Sequence, residues 1–120
     1  MSGPNPAPSA LRVNKDRTQL TVEFAEQPAI QLSAEYLRVF SPSAEVQGHS
    51  PSQKKTVGGK RRVQIMQLLP IGNYAIRIVF DDMHDTGIYS WVHLRELAAD
   101  QESNWTGYLK ELDEQGLSRD

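Results

Sequence analysis

The stretch PIGNYAIRIVFDDMHDTGIYSW, residues 70–91, decides how this chain is read. Tyr74, Ile76, Ile78 and Phe80 alternate with Ala75, Arg77 and Val79, the period of two expected of a β-strand with one face on a core. The PIGN segment before it reads as a turn. The polar run DDMHDTG after it, residues 81–87, reads as a second turn. Ser90 is placed to cap a helix in which Trp91, Leu94 and Leu97 or Ala98 form an apolar stripe.

Similar patterns flank this stretch. Leu11 and Val13, then Leu20, Val22 and Phe24, alternate with polar residues on either side of the turn NKDR, which predicts a hairpin. EQPA turns the chain, and Ile30 and Leu32 form a third extended piece. Ser33 caps a short helix carrying Tyr36, Leu37 and Phe40, which Pro42 ends. Residues 63–69 predict another strand. Ser103 is read as the cap of a last helix with Trp105, Tyr108, Leu109 and Leu112 on one face and Gly116 as its stop. The fold class expected is α+β: a small, mainly antiparallel sheet, a short helix after the third strand, and two C-terminal helices packed on one side. Residues 1–10, with three prolines, are expected to be a disordered lead-in, residues 11–99 the domain proper, and residues 100–120 a C-terminal helix and tail.

Composition narrows the function. A chain of 120 residues makes one domain. The net charge of −2 offers no general attraction for nucleic acid or an anionic membrane. The absence of cysteine removes disulfides, thiolate zinc sites, iron–sulfur ligation and cysteine nucleophiles together. No apolar run approaches the roughly 20 residues that span a bilayer, and MSGPNPAPSA lacks the basic start and apolar stretch of a signal peptide. A cytoplasmic location is therefore expected, with no membrane partner.

Four segments carry residue types that do chemistry. DDMHDTG brings carboxylates and an imidazole together, so a site for iron or zinc through Asp82 and His84, with His49 as a further ligand, is one alternative. The same residues are the ones a tight polar turn uses. DTG, residues 85–87, is the tripeptide of aspartic proteases, whose two carboxylates share a proton in a dry pocket; Met83, His84, Ile88 and Tyr89 are the wrong neighbours for that loop. KKTVGGKRR, residues 54–62, fails the phosphate-loop pattern twice, with Lys54 at the first glycine position and Arg61 at the hydroxyl position. A weak nucleic-acid patch over Lys54 to Arg62 is the second alternative, although no aromatic residue interleaves with the charges. No G-x-S-x-G elbow is present, nothing in the sequence pairs a serine with a histidine, and His93 is expected on the surface of its helix. NWT, residues 104–106, is a chance glycosylation sequon without a secretory signal.

The segment PIGNYAIRIVFDDMHDTGIYSWVHLREL resembles the second half of the gamma-butyrobetaine hydroxylase-like N-terminal domain, a family that also occurs as short stand-alone bacterial proteins of unknown function. Pro70, Gly72, Tyr74, Ala75, Phe80, Asp82, His84, Thr86, Gly87, Tyr89, Ser90 and Trp91 fit its pattern, and Met83 stands where that pattern often has glycine. Upstream, LSAEYLRVFSPSAEV is similar to a family segment ending in C-x-C-x-x-C. In the fused hydroxylases the resemblance implies a zinc site of those three cysteines and the histidine. On this chain the positions are Ser41, Ser43, Val46 and His84. A serine hydroxyl is a poor zinc ligand at neutral pH and valine is none, so no metal and no cofactor are expected. The oxygenase activity belongs to a separate domain, so no catalytic residue and no enzyme activity are expected. The resemblance implies a non-catalytic binding or accessory domain with an unidentified protein partner. By family analogy that partner is an iron–sulfur carrier or another metal-handling protein. The expected docking surface is Asp82, His84 and Asp85 with Lys60 and Arg61.

Overall fold

The computed structural model describes residues 7–25, 27–48 and 56–120. Among them the order is β1 (Ala10–Val13), β2 (Gln19–Phe24), β3 (Gln27–Ser33), α1 (Ala34–Val39), α2 (Ala44–Gln47), β4 (Ile65–Ile71), β5 (Ala75–Phe80), β6 (Gly87–Ser90), α3 (Trp91–Ala99) and α4 (Gln101–Glu114). The class is α+β, as expected. The strands, however, form two antiparallel three-stranded sheets, β1-β2-β3 and β4-β5-β6, in place of the one sheet that the sequence suggested. Each sheet is a local meander, because α1, α2 and the segment leading to β4 intervene between β3 and β4.

The first hairpin is closed by Asn14, whose Oδ1 accepts the N–H groups of Thr18 and Gln19 at 2.8 and 3.0 Å. This frees Arg17, held at φ 61°, to join the sheets. Its carbonyl accepts Ile65 N–H at 2.8 Å. Its guanidinium donates to the carbonyls of Ile65 at 2.6 Å and Met66 at 2.7 Å. The inner faces of both sheets meet in one core: Leu20, Val22, Phe24 and Leu32 from the first, Ile76, Ile78, Phe80 and Tyr89 from the second, closed by Tyr36, Leu37, Trp91, Leu94 and Leu97.

Two predicted caps are in place: Ser33 Oγ accepts from Tyr36 N–H at 3.0 Å, and Ser90 Oγ accepts from His93 N–H at 3.0 Å. The predicted stop is also present. Gly116, at φ 68°, ends α4 with Leu117 N–H on the Leu112 carbonyl and Gly116 N–H on the Asp113 carbonyl, the paired bonds of a Schellman end. Other boundaries move. Gln27 and Pro28 already belong to β3, so the turn read over EQPA is shorter. β4 runs through Pro70 and Ile71, which an edge strand tolerates, and the turn occupies residues 72–74, with Gly72 at φ 54°. Tyr74 therefore lies outside β5 and is 57% exposed. A sixth strand, β6, stands where the sequence suggested only a turn. α4 begins at Gln101 from Asp100, not at Ser103, because α3 and α4 adjoin with no loop between them; Leu109 faces solvent.

Of the expected lead-in, residues 1–6 lie outside the described residues, while Ala10 pairs with Glu23 and Ser9 N–H donates to the Glu23 carbonyl at 2.7 Å. The C-terminal segment packs onto the domain: Gly59 N–H donates to the Ser118 carbonyl, Arg61 N–H to the Arg119 carbonyl, and Arg119 grips buried Glu35 through two bonds of 2.9 and 2.7 Å.

The shifted start of β5 is testable by urea unfolding. Ile76→Ala should lower stability by roughly 2–5 kcal/mol, the usual loss for a buried isoleucine, whereas Tyr74→Ala should cost under about 1 kcal/mol. Equal losses would put Tyr74 back on the core face.

Candidate functional site

The polar turn after β5 is built around its own backbone. Phe80 N–H donates to the His84 carbonyl at 3.0 Å and Met83 N–H to the Phe80 carbonyl at 3.3 Å. The bend places Met83 at φ 73°, a left-handed conformation that suits glycine, with its side chain 90% exposed. Asp81 ties the turn to the start of β4: its Oδ1 accepts Gln64 N–H, and its own N–H donates to the Gln64 carbonyl, both at 2.9 Å.

Asp82 is the electrostatic hub. One carboxylate oxygen accepts His84 N–H at 3.1 Å. The other meets Arg38 Nε of α1 at 2.7 Å and Lys60 Nζ at 2.6 Å. Burial alone would raise its pKa; the bonds from Lys60, Arg38 and the His84 N–H outweigh that and bring it down to about 2. One side chain thus joins α1, the segment before β4 and the β5–β6 turn.

His84 points the opposite way, into the protein, and is 5% exposed. Its Nδ1 lies 3.1 Å from Glu45 Oε2 of α2, and its Nε2 lies 2.9 Å from Ser41 Oγ. Ser41 is completely buried and also accepts Ser43 N–H at 3.2 Å. Ser43 Oγ bonds Thr86 Oγ1 at 2.6 Å and accepts Glu45 N–H as the cap of α2. Burial lowers the His84 pKa, Arg38 lowers it further, and Glu45 and Asp82 oppose them. The ring is therefore neutral at neutral pH. The hydrogen-bond network assigns its proton to Nδ1, donated to Glu45, which leaves Nε2 to accept the Ser41 O–H. Gly87 is required by proximity: a Cβ there would lie 2.6 Å from Ser41 Oγ.

Serine, imidazole and carboxylate in this order are the arrangement that activates a nucleophile in acyl transfer. Here the serine oxygen has no solvent-accessible surface, and Gly87 packs directly on it. An acyl carbon has no approach to Ser41 in this geometry. The same atoms satisfy each other's buried polar valences, which is what a structural network requires.

The residues singled out in the sequence separate into two groups. Ser41, Ser43, Val46 and His84 converge, with Val46 2% exposed on α2. The docking surface does not stay together. His84 is buried, Asp82 and Lys60 neutralise each other, Arg61 pairs with Asp120 at 2.6 Å, and Asp85 stands exposed. An exposed Asp85 also lacks the dry pocket that protease chemistry needs. His49 and Lys54 lie outside the described residues. His93 is not a plain surface residue: about a third of its side chain is exposed, and burial lowers its pKa against the pull of Glu96 and the Phe40 backbone. The serine–histidine pairing escaped sequence reasoning because its partners are 43 residues apart; the serines sit at the cysteine positions of the resembling segment, and that was the available signal.

The model for the gamma-butyrobetaine hydroxylase-like N-terminal family matches residues 11–95. The chain belongs to this family. Two NMR solution structures are similar to it. One is 43% identical, covering 96% of this chain and 90% of that chain, with a TM-score of 0.80. The other is 41% identical, covering 99% and 90%, with a TM-score of 0.82. A crystal structure of a protein with unknown function of the DUF971 family, from Acidithiobacillus ferrooxidans, is 33% identical over 82% of this chain and 99% of that chain, with a TM-score of 0.66. No curated protein matches. Against the zinc site implied by the hydroxylase-like resemblance, the residues present do not fit. The four positions hold two hydroxyls, an isopropyl group and one imidazole whose nitrogens are both engaged. Among the described residues, no group of three or more His, Asp or Glu side chains is placed to hold a metal ion.

Two outcomes follow. Met83→Gly relieves the left-handed strain and should stabilise the domain by roughly 0.5–1 kcal/mol, read as a higher urea midpoint; a loss of stability would contradict the strain. Asp82 contributes roughly 2 kcal/mol that is present above about pH 4 and disappears as pH falls through about 2, because its folded pKa is depressed. Asp82→Asn should flatten that acid limb and, by leaving Arg38 uncompensated, cost roughly 2–4 kcal/mol at pH 7. An unchanged limb would show that another carboxylate controls it.

Proposed function

We propose that this chain is a non-catalytic accessory domain that acts by binding a protein partner. The observation that carries this reading is the internal consumption of every reactive group at the convergent site: both His84 nitrogens and the Ser41 oxygen are bonded within the fold, and Ser41 is fully buried. What then remains for function is surface. Of the expected docking residues, Asp85 and Arg61 are the accessible ones. Placement of the partner in iron–sulfur or metal handling rests on analogy with other members of the family. The basic stretch gives less support to nucleic acid, because Lys60 and Arg61 are each paired with a carboxylate. No helix among the described residues is long and apolar enough to cross a membrane.

The reading is tested with a fluorophosphonate probe, which labels activated serines. Wild-type protein should remain unlabelled after prolonged exposure at pH 8. Stoichiometric labelling that Ser41→Ala abolishes would make the relay catalytic and end the accessory reading. Partner recovery measured quantitatively should fall for the Asp85→Ala/Arg61→Ala variant while its unfolding midpoint stays within about 0.5 kcal/mol of wild type; unchanged recovery would remove those residues from the docking surface.

A further inference from the structure

Between α2, α3 and the start of α4 lies a groove that neither the His84 network nor the Asp82 hub uses. Its volume is about 470 Å³, within the size range of ligand clefts. Phe40, Pro42 and Leu97 form its apolar wall. Its polar lining is of one kind. Glu96 and Asp100, four residues apart at the end of α3, bring two carboxylates. Gln47 and Asn104 bring amides whose NH2 groups are already committed: Gln47 Nε2 donates to the Ser41 carbonyl at 2.9 Å and Asn104 Nδ2 to Tyr36 Oη at 3.0 Å. Each therefore offers the groove its oxygen. His93 leaves a buried Nε2 without a hydrogen-bond partner, and burial holds its pKa below the ordinary value, so the ring adds no positive charge at neutral pH. No lysine or arginine lines the groove. Among the described residues neither carboxylate pairs with one: Glu96 has the His93 ring at 4.0 Å, and Asp100 makes no side-chain cap bond to α4.

Acceptors and negative charge around an apolar wall complement a cation that carries several N–H donors on an apolar stem. A guanidinium presents five donors in a planar fork, and the methylenes of an arginine cover apolar surface. An ammonium concentrates its three donors at one point and reaches fewer of these dispersed acceptors. A phosphate, or the carboxylate of a free amino acid, finds no cation in the groove. The occupant that fits is an arginine side chain within a polypeptide, whose flanking peptide groups are uncharged.

We propose that this groove receives an arginine side chain of the protein partner, with Glu96 and Asp100 as its counter-charges. This deepens the accessory reading and rests on it. The probe is acetyl-arginine-amide, which keeps the side chain and lacks the free carboxylate. Titrated into the 15N-labelled full chain, it should give saturable shifts centred on residues 40–47 and 93–104, with a Kd on the order of 1 mM. The citrulline counterpart, similar in shape but uncharged, should bind at least about tenfold more weakly, and the lysine counterpart at least about threefold. Unblocked arginine should bind no more tightly than the blocked form. Glu96→Gln/Asp100→Asn breaks no side-chain hydrogen bond among the described residues, so its unfolding midpoint should match wild type while its affinity for the probe falls at least about tenfold. Shifts scattered over other surface carboxylates, equal binding of citrulline or lysine, tighter binding of unblocked arginine, or undiminished binding by the double variant would overturn the proposal. A silent titration would also overturn it and leave the accessory role standing, whereas labelling of Ser41 by the fluorophosphonate would end the accessory role whatever the titration shows.

Discussion

A buried imidazole must have both of its nitrogens satisfied, and much of this domain is arranged around that requirement at His84. The proton on Nδ1 goes to Glu45 and the lone pair on Nε2 receives the Ser41 hydroxyl. Meeting both demands fixes α2, which carries Glu45, against the turn that carries His84. It also dictates Gly87, since any larger residue would collide with Ser41. On the other side of the same turn, Asp82 accepts the His84 backbone N–H while gripping Arg38 and Lys60. Ring and carboxylate thus pin one short turn from its two sides, and the sheet β4-β5-β6 and helix α1 are held in mutual position by that turn.

This arrangement accounts for a site that carries the residue types of catalysis yet is organised as a core. A nucleophile needs an approach for its electrophile and donors for the developing charge. Ser41 has neither room nor solvent contact. A metal needs ligands with free lone pairs, and here the single imidazole has spent its own on Ser41. Where the resembling zinc-bearing domains would be held by thiolates, the Ser41–His84 and Ser43–Thr86 hydrogen bonds occupy the equivalent positions. Each bond contributes modestly, but the Ser41–His84–Glu45 network, with the serine oxygen and both ring nitrogens bonded, is stiff and specific.

The legible parts of the fold were those set by local chemistry. Ser33 and Ser90 cap helices because a hydroxyl reaches an N–H three residues on, and Gly116 ends α4 because the left-handed position favours glycine. The alternation from Ile76 to Phe80 showed which face is buried. Tyr74 was misplaced because an aromatic residue continues the pattern equally well from an exposed turn. β6 was hidden because a four-residue strand that opens on Gly87 looks like the end of the preceding turn until β5 supplies its hydrogen bonds. The division into two sheets, and the contact of Ser41 with His84, depend on partners far apart in sequence, which no window of local pattern contains. The resemblance to a family supplied that long-range information for the site, since it marked Ser41, Ser43, Val46 and His84 as positions that meet.

The central claim is that this meeting point stands on side-chain bonding alone. It is tested most directly by thermal unfolding of the purified chain in excess EDTA and again with added zinc, with the metal content of the same preparation determined alongside. The account predicts substoichiometric metal and one melting temperature in both conditions; stoichiometric metal, or a melting temperature that collapses on chelation and returns with zinc, would contradict it.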